Sequence, residues 1–436
     1  MTDFNRQDLH AWLSWMESLH PNEIDMGLAR IRQVADSLEL CSLPCKVVSV
    51  AGTNGKGSFV KALSSLLIEE GRRVACYTSP HINFYNERIA IDGEFVSDEQ
   101  ICLAFDAIDK ARLDISLTYF EFGTLAALYL FKQAELDVCI LEVGLGGRLD
   151  AVNIVDADIS VITSIGVDHE AWLGSDRKQI ALEKAGILRQ NRPFISVEAD
   201  LPETASSYAD ELQCASYLLG SELAVEAQGQ AAILNYQAQT GSASLFLAES
   251  SLPLPSLLAA LQCYHLLASD SQKKILSDAQ VASVLSRCRL SGRYEQISYS
   301  GCEFIFDVAH NPQAASLLAD KIKQREERLP VCLFTAMSDK DIAGIVAPLS
   351  ETCANWICTE LLDVPRCLSA VELEQCLLKL DVETQLEPSP MQALHVAMSQ
   401  ALKKKTKVLV LGSFFIVAEI KKLMAEYPNG LNGNHQ

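Results

Sequence analysis

The stretch VVSVAGTNGKGSFVKALSSLL, residues 47–67, joins an apolar β-branched run to an amphipathic one through a turn holding Gly52, Gly55, Lys56, Gly57 and Ser58. Such a junction predicts a strand, a tight turn and a helix. Backbone N–H groups and the helix N-terminus then surround an anion, and Lys56 adds positive charge. The general phosphate-binding loop has a glycine five residues before its Gly-Lys pair and a Ser or Thr directly after the lysine. Here Val50 takes the first place and Gly57 separates Lys56 from Ser58. The chemistry is that of a phosphate loop and the spelling is not the common one. The Ser58 hydroxyl is a candidate magnesium ligand.

Outward from this loop, short apolar runs alternate with longer amphipathic segments, the signature of a wound parallel sheet with helices on both faces. The expected strands are 46–50, 74–79, 138–143, 159–165 and 193–197, apolar at nearly every position as a doubly covered sheet requires. Residues 218–255 turn Gln-, Ser- and Gly-rich with weak alternation and read as an antiparallel excursion. A second α/β rhythm begins near Glu295 with CEFIFDVAH, a helix from Pro312, and PVCLFTAM, NWICTEL and KVLVLGSF. The expected organisation is an α/β chain in two parts. Residues 1–289 are expected to form one domain carrying the nucleotide loop, 290–297 a hinge, and 298–436 a smaller α/β domain. The tail PNGLNGNHQ is expected to fray.

Ligands of open parallel sheets collect at the carboxyl ends of the strands. Glu142 ends VCILE there and precedes the glycine-rich VGLGGRLDAVN; a carboxylate so placed suits a magnesium ion held directly or through water. By residue type alone Glu142 could equally be a loop acid or helix cap. Asp168 and His169 follow ISVITSI, where a lone histidine is more often a hydrogen-bonded structural residue.

At 436 residues, 49% hydrophobic and 21% charged, the chain has the composition of a folded globular protein. A net charge of −20 argues against nucleic acid, whose binders present a basic face. The 14 cysteines include no CxxC pair and read as reduced core thiols. The N-terminal MTDFNRQDLHAWLSWMESLH lacks the basic start and apolar run of a signal peptide, and the uncharged stretch 408–418 is too short to span a bilayer. The expectation is a cytoplasmic protein without membrane partners and, lacking a coiled coil, a monomer.

With these residues in view, the chain resembles the folylpolyglutamate synthase/dihydrofolate synthase family, relatives of the Mur peptide ligases. The resemblance rests on LHPNEIDMGLARI (19–31), VAGTNGKGS (50–58), YTSPHINFYNERI (77–89), TYFEFGTLAAL (118–128), LEVGLGGRLDAVNIV (141–155), TSIGVDHEAWLG (163–174), EKAGI (183–187), SGRYE (291–295) and FDVAHNP (306–312). The family writes its loop GTNGKG followed by Ser or Thr, which is the spelling found here. The resemblance implies ATP-dependent amide formation: a carboxylate is phosphorylated, and the amino group of L-glutamate then displaces phosphate. It implies a P-loop-containing central domain followed by a Rossmann-like domain, with domain closure completing the site.

Carried over by position, the resemblance makes Thr53, Asn54, Gly55, Lys56, Gly57 and Ser58 the ATP cradle. It assigns Ser58, Ser79, Glu142 and His169 to magnesium, divided between two ions. Lys184 matches a lysine commonly carbamylated in these ligases, although from its own helix it reads as solvated. Arg293, Asp307 and His310 match positions that contact ATP; Lys56, Lys184 and His310 are the expected catalytic groups. The pterin-bearing substrate is expected against Asn22, Glu23, Ile24 and Asp25, against Thr118, Tyr119, Phe120 and Glu121, and against Leu149, Asp150 and Ala151. Tyr119, Phe120 and Phe122 suit a flat ring, with core packing as the alternative for each. The block around Tyr119 is closer to bifunctional members, acting on both dihydropteroate and reduced folates, than to members that only extend the glutamate tail. One departure is Ser256, where the family often has an Asn near the nucleotide.

Other classes fit less well. A GTPase would need Asn-Lys-x-Asp, and MSDKD (337–341) places Asp341 directly after Lys340. A small-molecule kinase would stop at a stable phosphorylated product. A ligase for cell-wall precursors would share Lys56, Glu142 and His169 without the pterin blocks, and a non-catalytic binder would be expected to lose one of the three.

Overall fold

The computed structural model describes residues 5–22, 24–268, 275–326 and 328–428. The chain divides into two compact units, one of Met1–His81 with Tyr85–Cys288, the other of Ile82–Phe84 with Arg289–Gln436.

The first unit is built on strands β1 (Lys46–Ala51), β2 (Val74–Tyr77), β3 (Ile89–Ile91), β4 (Glu94–Phe95), β5 (Val138–Glu142), β6 (Ile159–Ile162), β7 (Pro193–Ser196) and β8 (Ala215–Leu218). They form one sheet in the order β4-β3-β2-β5-β1-β6-β7-β8. β2 through β8 run parallel across β5, β1, β6 and β7, and the β3–β4 hairpin is the antiparallel edge. The central strands are apolar at nearly every residue because helices bury both faces. On one face Trp12, Phe105, Phe122 and Phe131 are fully buried in a single core cluster.

β1 lies between β5 and β6, with Val50 opposite Glu142 and Ala51 opposite Ile162. β2 lies on the far side of β5, with Tyr77 opposite Leu141. The carboxyl ends of β2, β5, β1 and β6 therefore sit in a row, and the loop after β1 is flanked by the loops after β5 and β6. Chain order reverses around β1, the kind of switch point where open sheets leave a crevice.

β2, β5, β6 and β7 stop one to three residues before the apolar runs do. At β6 the reason is visible: Thr163 and Ser164 leave the ladder and turn their hydroxyls to the loop after β1. The excursion expected in 218–255 is a three-stranded antiparallel sheet of β9 (Ala224–Gln228), β10 (Ala231–Ala238) and β11 (Gly241–Leu247). The helix Leu254–Ala268 then packs on the helix Lys56–Glu69 that follows the loop.

The second unit holds β12 (Glu295–Tyr299), β13 (Cys302–Asp307), β14 (Val331–Phe334), β15 (Asn355–Cys358), β16 (Thr384–Leu386) and β17 (Val408–Leu411) in the order β12-β13-β17-β14-β15-β16. All pairs are parallel except β12 with β13. Residues 295–297, read as hinge from sequence, begin β12 and pair with β13 from the outset. Ile82 is buried in this unit's core beside Val308 and Val417, a long-range insertion that no local pattern announces. The 14 cysteines are all free thiols. Among the described residues no helix is long and apolar enough to cross a membrane. Of the tail 428–436 expected to fray, all but Pro428 lies outside the described residues.

Candidate active site

The loop after β1 is held by its neighbour β6 rather than by itself. Thr53 N–H donates to the Ser164 carbonyl at 2.8 Å, and Thr53 Oγ1 donates to the Gly166 carbonyl at 3.0 Å. Asn54 N–H donates to Ser164 Oγ at 2.8 Å, while Thr163 Oγ1 donates to the Asn54 carbonyl at 2.7 Å. Gly52 passes so close that a Cβ there would lie 2.0 Å from Thr163 Oγ1. Gly55 has φ +90° and stands at the N-cap of the helix Lys56–Glu69, with no side chain capping it. That conformation needs glycine, and the uncapped first turn leaves N–H groups directed at an anion. Ser256 Oγ donates to the Gly55 carbonyl at 3.1 Å, so the residue that departs from the family pattern braces the loop from the helix behind it.

Lys56 reaches back over the loop, with Nζ donating to the Gly52 carbonyl at 2.9 Å. Ser58 is 1% exposed, and among the described residues its Oγ has no hydrogen-bond partner. A buried hydroxyl without a partner is uncommon and expects one from a ligand or ion. Glu142 is 5% exposed and accepts from Ser79 N–H at 3.3 Å, tying the ends of β5 and β2 together. His169 follows β6, half-buried at φ +54°, and its N–H donates to Asp168 Oδ1 at 2.8 Å. Ser58, Ser79, Glu142 and His169 thus sit at the ends of four adjacent strands. Among the described residues there is no group of three or more His, Cys, Asp or Glu able to hold a metal. The donors fit a hard cation such as magnesium, which takes one or two carboxylates and draws its other ligands from water and phosphate.

Lys184, which reads as solvated from its own helix, is 3% exposed. Burial is the main cause that lowers its pKa to about 7; Lys56 pushes the same way, and Asp168 and Asp150 oppose. Among the described residues it forms no ion pair. Asp150 is also buried, with Oδ2 accepting from Leu145 N–H at 2.8 Å and Oδ1 from Val152 N–H at 3.0 Å. Burial raises its pKa to about 6, against those backbone bonds. Its carboxylate therefore closes the glycine-rich turn after β5, on which Leu149 is half-buried and Ala151 buried.

The substrate residues proposed from sequence converge in part. Thr118 and Glu121 form a capping box on the helix Tyr119–Gln133. Arg30, not singled out from sequence, joins this cap to the loop before it, pairing with Asp25 Oδ2 at 2.7 Å and with Glu121 Oε1 at 3.1 Å. His20 binds Asn22 through Nδ1, and its Nε2 lies 3.5 Å from Asp25. Ile24 is half-buried, and Glu23 lies outside the described residues. Tyr119 and Phe120 are half-exposed, and the Phe120 ring packs on Gly144 of the turn after β5. Phe122 is the correction: it is fully buried against Trp12, Trp15 and Phe105 and belongs to the core. Residues three apart lie on the same side of a helix, so the difference is one of depth: Tyr119 opens the helix and stays partly exposed, whereas Phe122, one turn further in, is covered by Trp12, Trp15 and Phe105.

In the second unit Asp307, at the end of β13, accepts from Tyr294 N–H and Ala309 N–H, both at 2.9 Å. Burial raises its pKa and Arg293 is the largest opposing influence. The Arg293 guanidinium lies 5.2 Å from the Phe414 ring centre, and the His310 ring lies 5.9 Å from it. His310 Nδ1 bonds the Val308 carbonyl at 2.8 Å. Phe414 was missed from sequence; its signal is the strand-Gly-Ser-helix junction at 408–414.

Residues 292–414 match the model of the Mur ligase, glutamate ligase domain. Over 418 residues, 95% of each chain, the sequence is 41% identical to dihydrofolate synthase/folylpolyglutamate synthase of Escherichia coli strain K12. The chain belongs to this family. A solved structure of E. coli FolC in complex with DHPP and ADP superposes with a TM-score of 0.89 at 39% identity, covering 98% of this chain and 100% of that one. A bifunctional folylpolyglutamate synthase/dihydrofolate synthase from Yersinia pestis, complexed with AMPPNP and Mn ion, gives 0.85 at 38% identity with the same coverage. The α/β architecture expected from the loop is the family's Mur-ligase-like fold.

Proposed function

We infer that this chain is an ATP-dependent ligase that joins L-glutamate to dihydropteroate and to reduced folates. The observation that carries the reading is the β1 loop, with Lys56 over it and the buried Ser58 hydroxyl, without a hydrogen-bond partner among the described residues, in a chain alike over nearly its whole length to bifunctional synthases. In the reaction the acceptor carboxylate attacks the γ-phosphorus of ATP, releasing ADP. The glutamate amine then attacks the acyl carbon, losing a proton as phosphate departs.

Thr53 to Ser58 cradle the phosphates through backbone N–H groups, and Lys56 neutralises charge on the transferring group. Ser58, Ser79, Glu142 and His169 hold magnesium, which when bound draws charge from the phosphate oxygens. Lys184 is positioned to carry a carbamate: its buried amine with pKa about 7 is neutral in a large fraction of molecules, the form that adds carbon dioxide. Arg293, Asp307 and His310 serve the nucleotide from the second unit. Asn22 to Asp25, Thr118 to Glu121 and Leu149 to Ala151 receive the pterin-bearing substrate, with the half-exposed Tyr119 and Phe120 rings against its flat ring. Fourteen free thiols suit a reducing compartment, and we place the enzyme in the cytoplasm as a monomer.

The test offers purified protein ATP, magnesium and L-glutamate with dihydropteroate or tetrahydrofolate in separate reactions. Glutamate-dependent ADP release and the glutamylated product are expected with both acceptors. No glutamate-dependent release with either would falsify the assignment.

A further inference from the structure

Arg88 closes the short turn Tyr85–Arg88 and enters none of the roles above. Its guanidinium carbon lies 5.4 Å from the Tyr85 ring centre and 5.6 Å from that of Tyr119, so two aromatic faces hold it. Its Nε donates to His81 Nδ1 at 2.9 Å. Arg30, Arg112 and Arg177 of the same unit each meet a carboxylate within 3.1 Å. Among the described residues Arg88 meets none. A half-buried guanidinium without a counter-charge is costly, and its planar fork is shaped for a carboxylate.

The position narrows which carboxylate. Tyr119, one wall of the cage, is also in the block assigned to the acceptor substrate, and Phe120 packs 5.9 Å from Tyr77 beside it. A carboxylate clamped by arginine is a weakened nucleophile, so the reacting group is not the one held there. Dihydropteroate has a single carboxylate and spends it in the reaction. A reduced folate ends in a glutamyl group with two, one reacting and one left over.

We propose that Arg88 is the receptor for the unreacting carboxylate of the folate glutamyl tail, and so a specificity residue that favours the tail-bearing acceptor. The inference rests on the ligase reading above. Arg88→Met keeps the stem and the aromatic packing and removes the charge. Loss of a charge-assisted bond is expected to raise KM for tetrahydrofolate about 10- to 100-fold, with kcat changed far less. KM for dihydropteroate should move at least tenfold less. Equal effects on both acceptors, a change confined to kcat, or a raised KM for L-glutamate instead would overturn the proposal. If Arg88→Met fails to fold, the wild-type enzyme decides. Tetrahydrofolate with its spare α-carboxylate converted to the amide should bind about 10- to 100-fold more weakly than tetrahydrofolate by calorimetry, and equal affinity refutes the receptor. A wild-type enzyme inactive with both acceptors fails the ligase reading instead, which separates the two outcomes.

Discussion

Replacing Lys184 by Met should make the first unit more stable, by an amount that depends on pH. Lys184 is 3% exposed, and its pKa stands at about 7 against an ordinary value of 10.5. The unfolded chain therefore holds the proton up to about pH 10.5, the folded chain only below about 7. Between these values the unfolded state binds more protons, so the wild-type protein gains stability as pH rises through the window. Below pH 7 the full cost of a buried ammonium is present. Methionine has similar length and no proton to lose, so Lys184→Met removes that cost. Integrating the linkage gives a gain of about 4 kcal/mol at pH 7, falling to about 2 kcal/mol at pH 9. Urea unfolding in carbon dioxide-free buffer would measure it. Tryptophan fluorescence in a Trp356→Phe background leaves Trp12, Trp15 and Trp172 to report on the first unit. A destabilised Lys184→Met at pH 7, or a difference that does not shrink toward pH 9, refutes the reasoning. The same variant should lose most turnover, since a thioether cannot take up carbon dioxide.

Ser58→Ala should separate stability from activity. Removing a buried hydroxyl without a partner leaves the melting temperature unchanged or raises stability by about 1 kcal/mol, while the magnesium concentration for half-maximal rate increases. Gly52→Ala should drive Thr163 away from the loop, costing about 1–3 kcal/mol and weakening ATP binding in a calorimetric titration. Arg30→Met should leave Asp25 and Glu121 facing each other without their cation; acceptor KM should rise roughly tenfold, with ATP affinity retained.

Much of the site is legible in the sequence because a strand end fixes where a residue falls. Lys56, Glu142 and His169 follow apolar runs that read as buried parallel strands, and the strand order sets those strand ends side by side, whereas Ser79 came only from the family resemblance. Side chains whose role depends on what packs over them are not legible. Lys184 and Phe122 both sit on amphipathic helices, and their sequence neighbours do not say which face the fold will cover. Arg30, Arg88 and Phe414 escape for a related reason, since each gains its meaning from partners tens of residues away. The insertion of Ile82–Phe84 into the second unit's core is likewise a long-range event.

The sequence by itself determined the family's loop, the α/β alternation and the residue types available for phosphate, metal and pterin. Those are local matters of backbone freedom, periodicity and donor chemistry, written within a few residues of one another. The tertiary structure alone decided that Lys184 is buried beside Lys56 and that, among the described residues, Ser58 Oγ lacks a hydrogen-bond partner and Arg88 a counter-charge. Desolvation and pairing depend on the whole surrounding shell, and that shell exists only after the chain has folded around it.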